Sequence, residues 1–267
     1  MKKLISLVMA GAMVLSLGLL AGCGNDSTDA DQPVDDSSAT TELTTVTPGK
    51  LTMSTNAAFP PYEYTDDNGQ PVGIDIDIAT AIATKLGLEL QVDDMDFDAA
   101  LLAAQQGKSD MVMAGVTVNE ERQAVMDFSE SYATGVQVII VPEGSDVTLD
   151  NLGDQKIATQ RGTTGYIYCV DDYGDDHVVA YDNGITAVQA LQNGQVDCVV
   201  IDKAPAQAFV EANPGLTILD TEYVTEDYAI GMAKGNTALV DAVNGALKEL
   251  IADGTVQGIL DKYITAE

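Results

Sequence analysis

Residues 110–128, DMVMAGVTVNEERQAVMDF, begin as an apolar strand at Met111, Val112 and Met113 and break at Ala114-Gly115. Thr117 and a polar turn follow, then Arg122 behind Glu120 and Glu121. Arginine is scarce: the chain holds 42 acidic and 12 basic residues, and Arg122 and Arg161 are its two arginines. A guanidinium just past a buried strand supplies a rigid two-pronged donor. Gly and Thr beside it leave backbone N–H groups open, and the set suits a small carboxylate. The alternative for Arg122 is charge balance with its neighbouring glutamates on a surface turn.

Upstream of this stretch the pattern is β-α-β-α. Residues 50–56 alternate as a strand, and the run FPPYEY (59–64) has two prolines that argue for a rigid extended loop presenting aromatics. Asp66-Asp67-Asn68-Gly69 reads as a turn. A helix then places Ile74, Ile78, Ile82 and Leu86 on one face, has acids in its first turn and stops at Gly87. A strand at 88–92 and a helix led by Phe97 complete the approach. Such an alternation predicts a mostly parallel sheet with helices on its faces.

Downstream the design starts again. Residues 135–141 are a continuous apolar strand, 157–159 a strand that runs into Gly162-Thr163-Thr164-Gly165 and a helix, and 178–181 a strand. A helix at 184–192, a buried strand at 196–201 ending on Asp202, a helix containing Pro205 and Phe209, and a strand at 216–219 follow. The remainder reads as a strand at 228–233 and helices at 237–252 and 255–263. The two α/β units are alike in design without an internal sequence repeat.

The N-terminus decides the compartment. Met1-Lys2-Lys3 is a short basic region, residues 4–20 are apolar and uncharged, and Leu20-Ala21-Gly22-Cys23 closes the run with small residues before a cysteine. This is a secretory signal spanning 1–22, too short and too soon followed by polar sequence for a structural membrane helix. Residues 24–47 are rich in Asp, Ser and Thr, hold six acids and no base, and lack aromatics. Such a segment cannot bury enough apolar surface to order itself and reads as a disordered tether. Roughly 220 residues remain for the body, enough for two modest domains.

The formal charge of −30 excludes nucleic-acid binding, which needs basic patches, and excludes lying flat on anionic lipid. It fits solubility outside the cell. Of the three cysteines, Cys169 and Cys198 belong to the body. In an oxidising compartment they are either one disulfide or two buried thiols. Their spacing and the lone His177 argue against a zinc site, and neither a metal nor another cofactor is expected.

In open α/β sheets ligands sit beyond the carboxyl ends of strands. Gly115 and Thr117 follow one such end, Gly162-Thr163-Thr164 a second, and Asp202 a third. Gly-Thr-Thr-Gly at a helix start offers free N–H groups and a positive dipole end to a carboxylate, or else merely caps the helix. Asp202 either pairs with an ammonium or caps the helix after it. Cation donors on one unit and an anion on the other complement a zwitterion, such as a free amino acid.

The combination of FPPYEY, GIDIDIA (73–79), AGVTVNEER (114–122), MDFSESY (126–132), QRGTTG (160–165) and VVID (199–202) resembles the polar-amino-acid branch of the bacterial extracellular solute-binding proteins, the receptors of ABC importers. The likeness covers 50–263 in order. It implies an α/β, two-lobed, periplasmic-binding-protein-like clamp crossed by two hinge strands. Residues 49–134 and 227–267 would form one lobe and 135–226 the other. LAGC likewise resembles the lipobox of bacterial lipoproteins, which implies cleavage before Cys23, lipidation of its thiol, and a body held outside the cell membrane by lipid, with 23–48 as the anchor and tether. The alternative is an ordinary signal peptide with a chance cysteine.

Carried onto this chain, the resemblance gives Arg122 and the backbone of Gly115 and Thr117 the ligand carboxylate, adds Thr164 from the second lobe, and gives Asp202 the ammonium. Phe59 and Phe97 fall where the family places rings around the ligand side chain, or are ordinary core. Asn56 stands where receptors for basic amino acids tend to carry an acid, which favours a polar or amide ligand. Arg161 stands where the family more often has an uncharged residue, and either faces the pocket or points to solvent. The expected partners are an L-amino acid and an importer permease, with the receptor a monomer and not an enzyme. Two rivals remain open. A cyclohexadienyl-dehydratase-like enzyme on the same fold needs a general acid, for which Glu63 and Asp202 are the candidates. A sensing module is expected to continue into a membrane span and signalling domain.

Overall fold

The first strand after the tether is buried on both faces because it becomes the middle of three parallel strands. The computed structural model describes residues 43–264; the signal, Cys23 and the tether as far as residue 42 lie outside them. In β1 (Lys50–Thr55) Leu51 and Met53 have no exposed surface. β1 pairs in parallel with β5 (Glu89–Asp94) on one side and β6 (Met111–Val112) on the other. Between them, α1 (Ile74–Lys85) buries Ile74, Ile78 and Ile82 along the face that the four-residue spacing foretells, and α2 (Phe97–Gln105) buries Phe97, Ala100, Leu101 and Ala104.

The FPPYEY run differs from the extended loop expected. Pro60 and Pro61 occupy the connection itself, so β2 (Ala58–Phe59) and β3 (Glu63–Thr65) pair on either side of them, with Phe59 opposite Glu63. β4 (Pro71–Val72) completes a three-stranded antiparallel sheet. The prolines thus remove ladder donors only where no ladder is needed.

Arg122 lies not on a turn but on a short helix, α3 (Glu120–Val125), from which the chain passes directly into β7 (Met126–Pro142), a strand of 17 residues. The second series is β8 (Ile157–Gln160), α4 (Thr164–Tyr173), β9 (Val178–Tyr181), α5 (Gly184–Gln192), β10 (Cys198–Asp202), α6 (Lys203–Ala212) and β11 (Leu216–Ile218). β12 (Val224–Ala233), α7 (Thr237–Ala252) and α8 (Thr255–Tyr263) close the body. Cys169 and Cys198 are free and buried, packed with Leu152, Ile157 and Val200.

The large sheet runs β5-β1-β6-β12-β7-β10-β8-β9, with β11 also on β7. Its two ends are parallel, as the βαβ pattern predicts, while β12 and β7 are antiparallel to each other and to their neighbours β6 and β10. β7 and β12 therefore join the two parallel ends. At Gln137, β7 stands opposite both Val224 of β12 and Asp202 of β10. The carboxyl ends of β6, β8 and β10 are brought toward this crossing, which positions the site.

Candidate functional site

One cleft is lined by Asn56, Phe59, Glu63, Phe97, Ala114, Gly115, Thr117, Arg122, Gln160, Thr163, Thr164 and Asp202. Of the residues expected from sequence, all but Arg161 meet here.

At the cationic end, α3 is capped by Asn119, whose Oδ1 accepts the Arg122 N–H at 2.8 Å. Arg122 is 7% exposed. Its guanidinium donates to the Thr117 carbonyl at 2.8 Å and the Gly162 carbonyl at 3.2 Å, and lies 5.5 Å above the Phe97 ring. Burial pulls its pKa down, and the nearby Glu226 acts in the opposite direction. Among the described residues no carboxylate forms an ion pair with it. The guanidinium is thus oriented by neutral carbonyls, and its charge is not cancelled.

Thr164 opens α4, with Thr163 capping it by accepting the Tyr166 N–H at 3.3 Å. The first-turn N–H groups of a helix have no partner within it and present a positive end. Thr164 Oγ1 lies 3.4 Å from Thr117 Oγ1, so the start of α4 faces the turn after β6. Gly162 has φ +73°, the left-handed region that favours glycine, and a Cβ there would stand 1.7 Å from Asp98 Oδ1. Glycine is needed at that position both for the backbone and for the close approach of α2.

Gly115 also has positive φ, at +54°, but its amide is not open as expected. It donates to Asp75 Oδ2 at 3.1 Å, because α1 places that buried carboxylate directly behind the turn. Gly115 therefore shapes the pocket wall, against the Phe59 ring, rather than offering an N–H to a ligand.

At the acidic end, Asp202 terminates β10 at 8% exposure. Its side chain makes no cap hydrogen bond to α6, which removes the capping alternative. Instead Oδ1 accepts the Tyr228 hydroxyl and Oδ2 accepts Gln137 Nε2 at 2.9 Å. The same Gln137 nitrogen donates to Glu226 Oε2 at 2.9 Å. Burial above all, and then the charge of Glu226, raise the Asp202 pKa to about 7, against the lowering effect of its two hydrogen bonds.

The pocket side walls hold Phe59 and Phe97, both largely buried, and a polar bridge. Gln160 Nε2 donates to Asn56 Oδ1 at 3.0 Å, and Asn56 Nδ2 donates to the Met95 carbonyl at 2.9 Å. Arg161 is the correction here. Its side chain is 56% exposed, lies 3.9 Å from Asp182 and reaches the Ala180 carbonyl at 3.4 Å. Gln160 is the last residue of β8 and turns inward, so the next side chain turns out. Glu63, weighed from sequence only as an enzyme's acid, is a pocket residue at 1% exposure with Oε2 buried and unpartnered. Its placement follows from the β2–β3 pairing that the prolines concealed.

The arrangement holds a cation donor set at one end and carboxylates at the other, the two poles of a small zwitterion. Comparisons with known proteins agree with that class. The model of the bacterial extracellular solute-binding proteins, family 3, matches residues 51–266, and the chain belongs to that family. It is an extracytoplasmic solute-binding protein and not an enzyme.

Over 267 residues the chain is 31% identical to a probable histidine-binding protein of Neisseria gonorrhoeae, covering 97% of this chain and 96% of that one. It is 28% identical to the L-cystine-binding protein TcyJ of Escherichia coli K12, covering 82% and 84%. Among solved structures, an ancestral arginine-binding protein bound to glutamine superposes with a TM-score of 0.78 at 40% identity, covering 82% of this chain and all of that one. The arginine-, lysine-, histidine-binding protein ArtJ of Geobacillus stearothermophilus gives 0.77 at 31%, covering 82% and 96%. The periplasmic-binding-protein-like α/β class expected from the sequence is the fold these proteins share.

Proposed function

We propose that this chain is the receptor of an amino-acid ABC importer, a lipid-anchored monomer that captures an L-amino acid with a polar side chain and delivers it to the permease. The observation that carries the proposal is the convergence of Arg122 and the α4 start on one end of a cleft whose other end is Asp202. The ligand carboxylate lies against Arg122, Thr117 and Thr164, and the ammonium against Asp202. Segments 49–134 with 227–267, and 135–226, act as lobes that close around β7 and β12, and ligand bridging both favours the closed form. Relatives named as a probable histidine-binding protein, a putative arginine-binding protein and an L-cystine-binding protein support the amino-acid class.

Asn56 and Gln160 at the wall support an amide or other neutral polar side chain. Glu63 favours a second reading, a cationic side chain, since the acid missing at Asn56 is supplied from β3. A thermal-shift screen over the twenty amino acids, cystine and ornithine tests the function: a ligand at about a thousand times its Kd adds about 4 kcal/mol of stability. No shift with any of them, on protein that unfolds cooperatively, would sink it. The anchor is proposed from the LAGC sequence, and Cys23→Ala should move the protein from the membrane fraction to the medium or periplasm.

A further inference from the structure

The carboxylate at the acidic end is held by the two crossing strands and not by its own. Asp202 ends β10, yet its Oδ2 takes a hydrogen bond from Gln137 of β7 and its Oδ1 one from Tyr228 of β12. Gly135 of β7 leaves the space for the second contact, since a Cβ there would stand 2.7 Å from Asp202 Oδ1. Gln137 is 1% exposed, and its Nε2 lies 2.9 Å from Asp202 Oδ2 and 2.9 Å from Glu226 Oε2. An amide nitrogen carries two N–H groups, so each carboxylate receives one. This fixes the sense of the amide, because a flipped side chain would set its oxygen against two acids. Gln137 Oε1 is left buried and unpartnered beside the start of α4, where Gly165 gives it room: a Cβ on Gly165 would stand 2.8 Å away.

Glu226 is 5% exposed and lies behind the cleft, not among its lining residues. Among the described residues no lysine or arginine forms an ion pair with Asp202 or Glu226. The groups around them bring little compensating charge. Tyr62 and Tyr228 are phenols that burial keeps neutral, and Glu63 of β3 adds negative potential. Tyr168 of α4 faces Glu226 as a phenol that burial pushes up to about 12. Lys203, next in the chain, is exposed, and Arg122 is engaged with the Thr117 and Gly162 carbonyls. Two acids facing each other in a buried place favour protonation of one of them, and a donor shared between them opposes it. Burial raises the Asp202 pKa most, the Tyr228 bond lowers it, the charge of Glu226 raises it and the Gln137 bond lowers it, in that order.

We propose that Gln137 is the positioning residue of the ammonium end: its amide holds Asp202 beside Glu226 as a pair of carboxylates, turns Asp202 toward the cleft and ties the ammonium site to β7 and β12. The proposal rests on the reading that Asp202 takes a ligand α-ammonium. Gln137 does not line the cleft, so it acts through Asp202. Every L-amino acid carries the same ammonium. Gln137 therefore sets the strength of capture and its pH dependence, and leaves the choice of side chain alone.

Calorimetry with L-arginine and with L-glutamine from pH 5 to 8.5 reads the effect. In Gln137→Leu the Asp202 carboxyl loses a donor and its titration midpoint rises by about one pH unit, so affinity at neutral pH falls about five- to tenfold, by the same factor for both ligands. The loss shrinks to about twofold or less at pH 8.5, where Asp202 ionises without help. In Glu226→Gln the facing charge is gone, and the acid limb of binding moves to lower pH. Combining Gln137→Leu with Glu226→Gln returns the limb toward its wild-type position, a rescue that a merely structural defect would not show. A loss in Gln137→Leu that is equal at every pH, or an acid limb that Glu226→Gln leaves in place or moves upward, overturns the inference with the receptor reading intact.

The titration of Asp202 in the ligand-free protein, followed by carbon NMR of labelled carboxyls and assigned by its loss in Asp202→Asn, decides the same point if neither amino acid binds. Its midpoint rises in Gln137→Leu and falls in Glu226→Gln; a midpoint that either substitution leaves unmoved overturns the inference. If Gln137→Leu does not fold, Glu226→Gln carries both measurements. Midpoints that move as expected while the binding profiles do not follow them take the ammonium away from Asp202, and with it the reading on which the proposal rests.

Discussion

The two ends of the cleft solve the same problem with opposite charges. At one end Arg122 is buried among neutral acceptors, the Thr117 and Gly162 carbonyls. At the other, Asp202 and Glu226 share the Nε2 of Gln137, and Asp202 also takes the Tyr228 hydroxyl. Neutral hydrogen-bond partners orient a charge without cancelling it, so each end keeps a net field for the opposite pole of a ligand. The difference lies in what each end does alone. A buried guanidinium remains charged, since its intrinsic pKa is so high, whereas buried carboxyls retreat by taking up protons. Burial raises Asp75 to about 6 and Asp202 to about 7. The cationic end is therefore a fixed grip and the acidic end an adjustable one.

The largest expected effect tests the fixed grip. Arg122→Ala should weaken amino-acid binding by two to three orders of magnitude, because a desolvated ligand carboxylate is left unpaired, a loss of about 3–4 kcal/mol. Undiminished affinity in calorimetry would remove Arg122 from the site. Asp202→Asn should cost less, about ten- to a hundredfold, since the residue keeps its shape and can still accept one hydrogen bond while losing its charge. A loss as large as that of Arg122→Ala would mean that the acidic end is as rigid as the cationic one.

The adjustable end also predicts a pH dependence. For Asp75 and Asp202 the folded-state pKa is raised above the unfolded value, so the folded protein binds more protons than the unfolded chain between about pH 4 and 7. Stability of the ligand-free protein therefore increases as pH falls from 8 to 5 and is lost as pH rises through 6–7. Tm should rise by several degrees over that interval, on the scale of a few kcal/mol. Asp202→Asn should flatten the slope, and a wild-type Tm that falls steadily from pH 8 to 5 would refute the raised carboxyls. The smallest effect sharpens the contrast between the two arginines: Arg161→Ala should leave affinity within about twofold, as exposed charges paired across solvent contribute little.

Much of this was legible in the chain. The bounds of β9, α5, α7 and α8 coincide with the read ones because apolar period and capping residues agree there. Arg122, Thr164 and Asp202 were marked by position at strand or helix ends. The 17-residue length of β7 was not, since the polar Ser129-Glu130-Ser131 breaks the apolar run and only pairing with β12 keeps it extended. Nor was α3, whose six residues are too few for a period to show. Glu63 and Gln160 were hidden for a different reason: a polar residue in a short strand gives no sign of which way it faces until its partner strand is known.

By itself, then, the amino-acid order determined the inventory: export, an α/β body, glycines and small hydroxyls after buried strands, one arginine and one aspartate at strand or helix ends. These follow from local periodicity, steric limits on φ and charge counting, all short-range properties. Tertiary structure decided which groups meet. The Asp75 contact that closes the Gly115 amide spans 40 residues, and the Gln160–Asn56 bridge spans 104. Such meetings depend on sheet order and on how β7 and β12 cross between the parallel ends, which no local pattern encodes. For the same reason the stretch at 110–128 and the Asp202 strand end stood out in the sequence, while Glu63 joined the pocket only once β2 and β3 were paired.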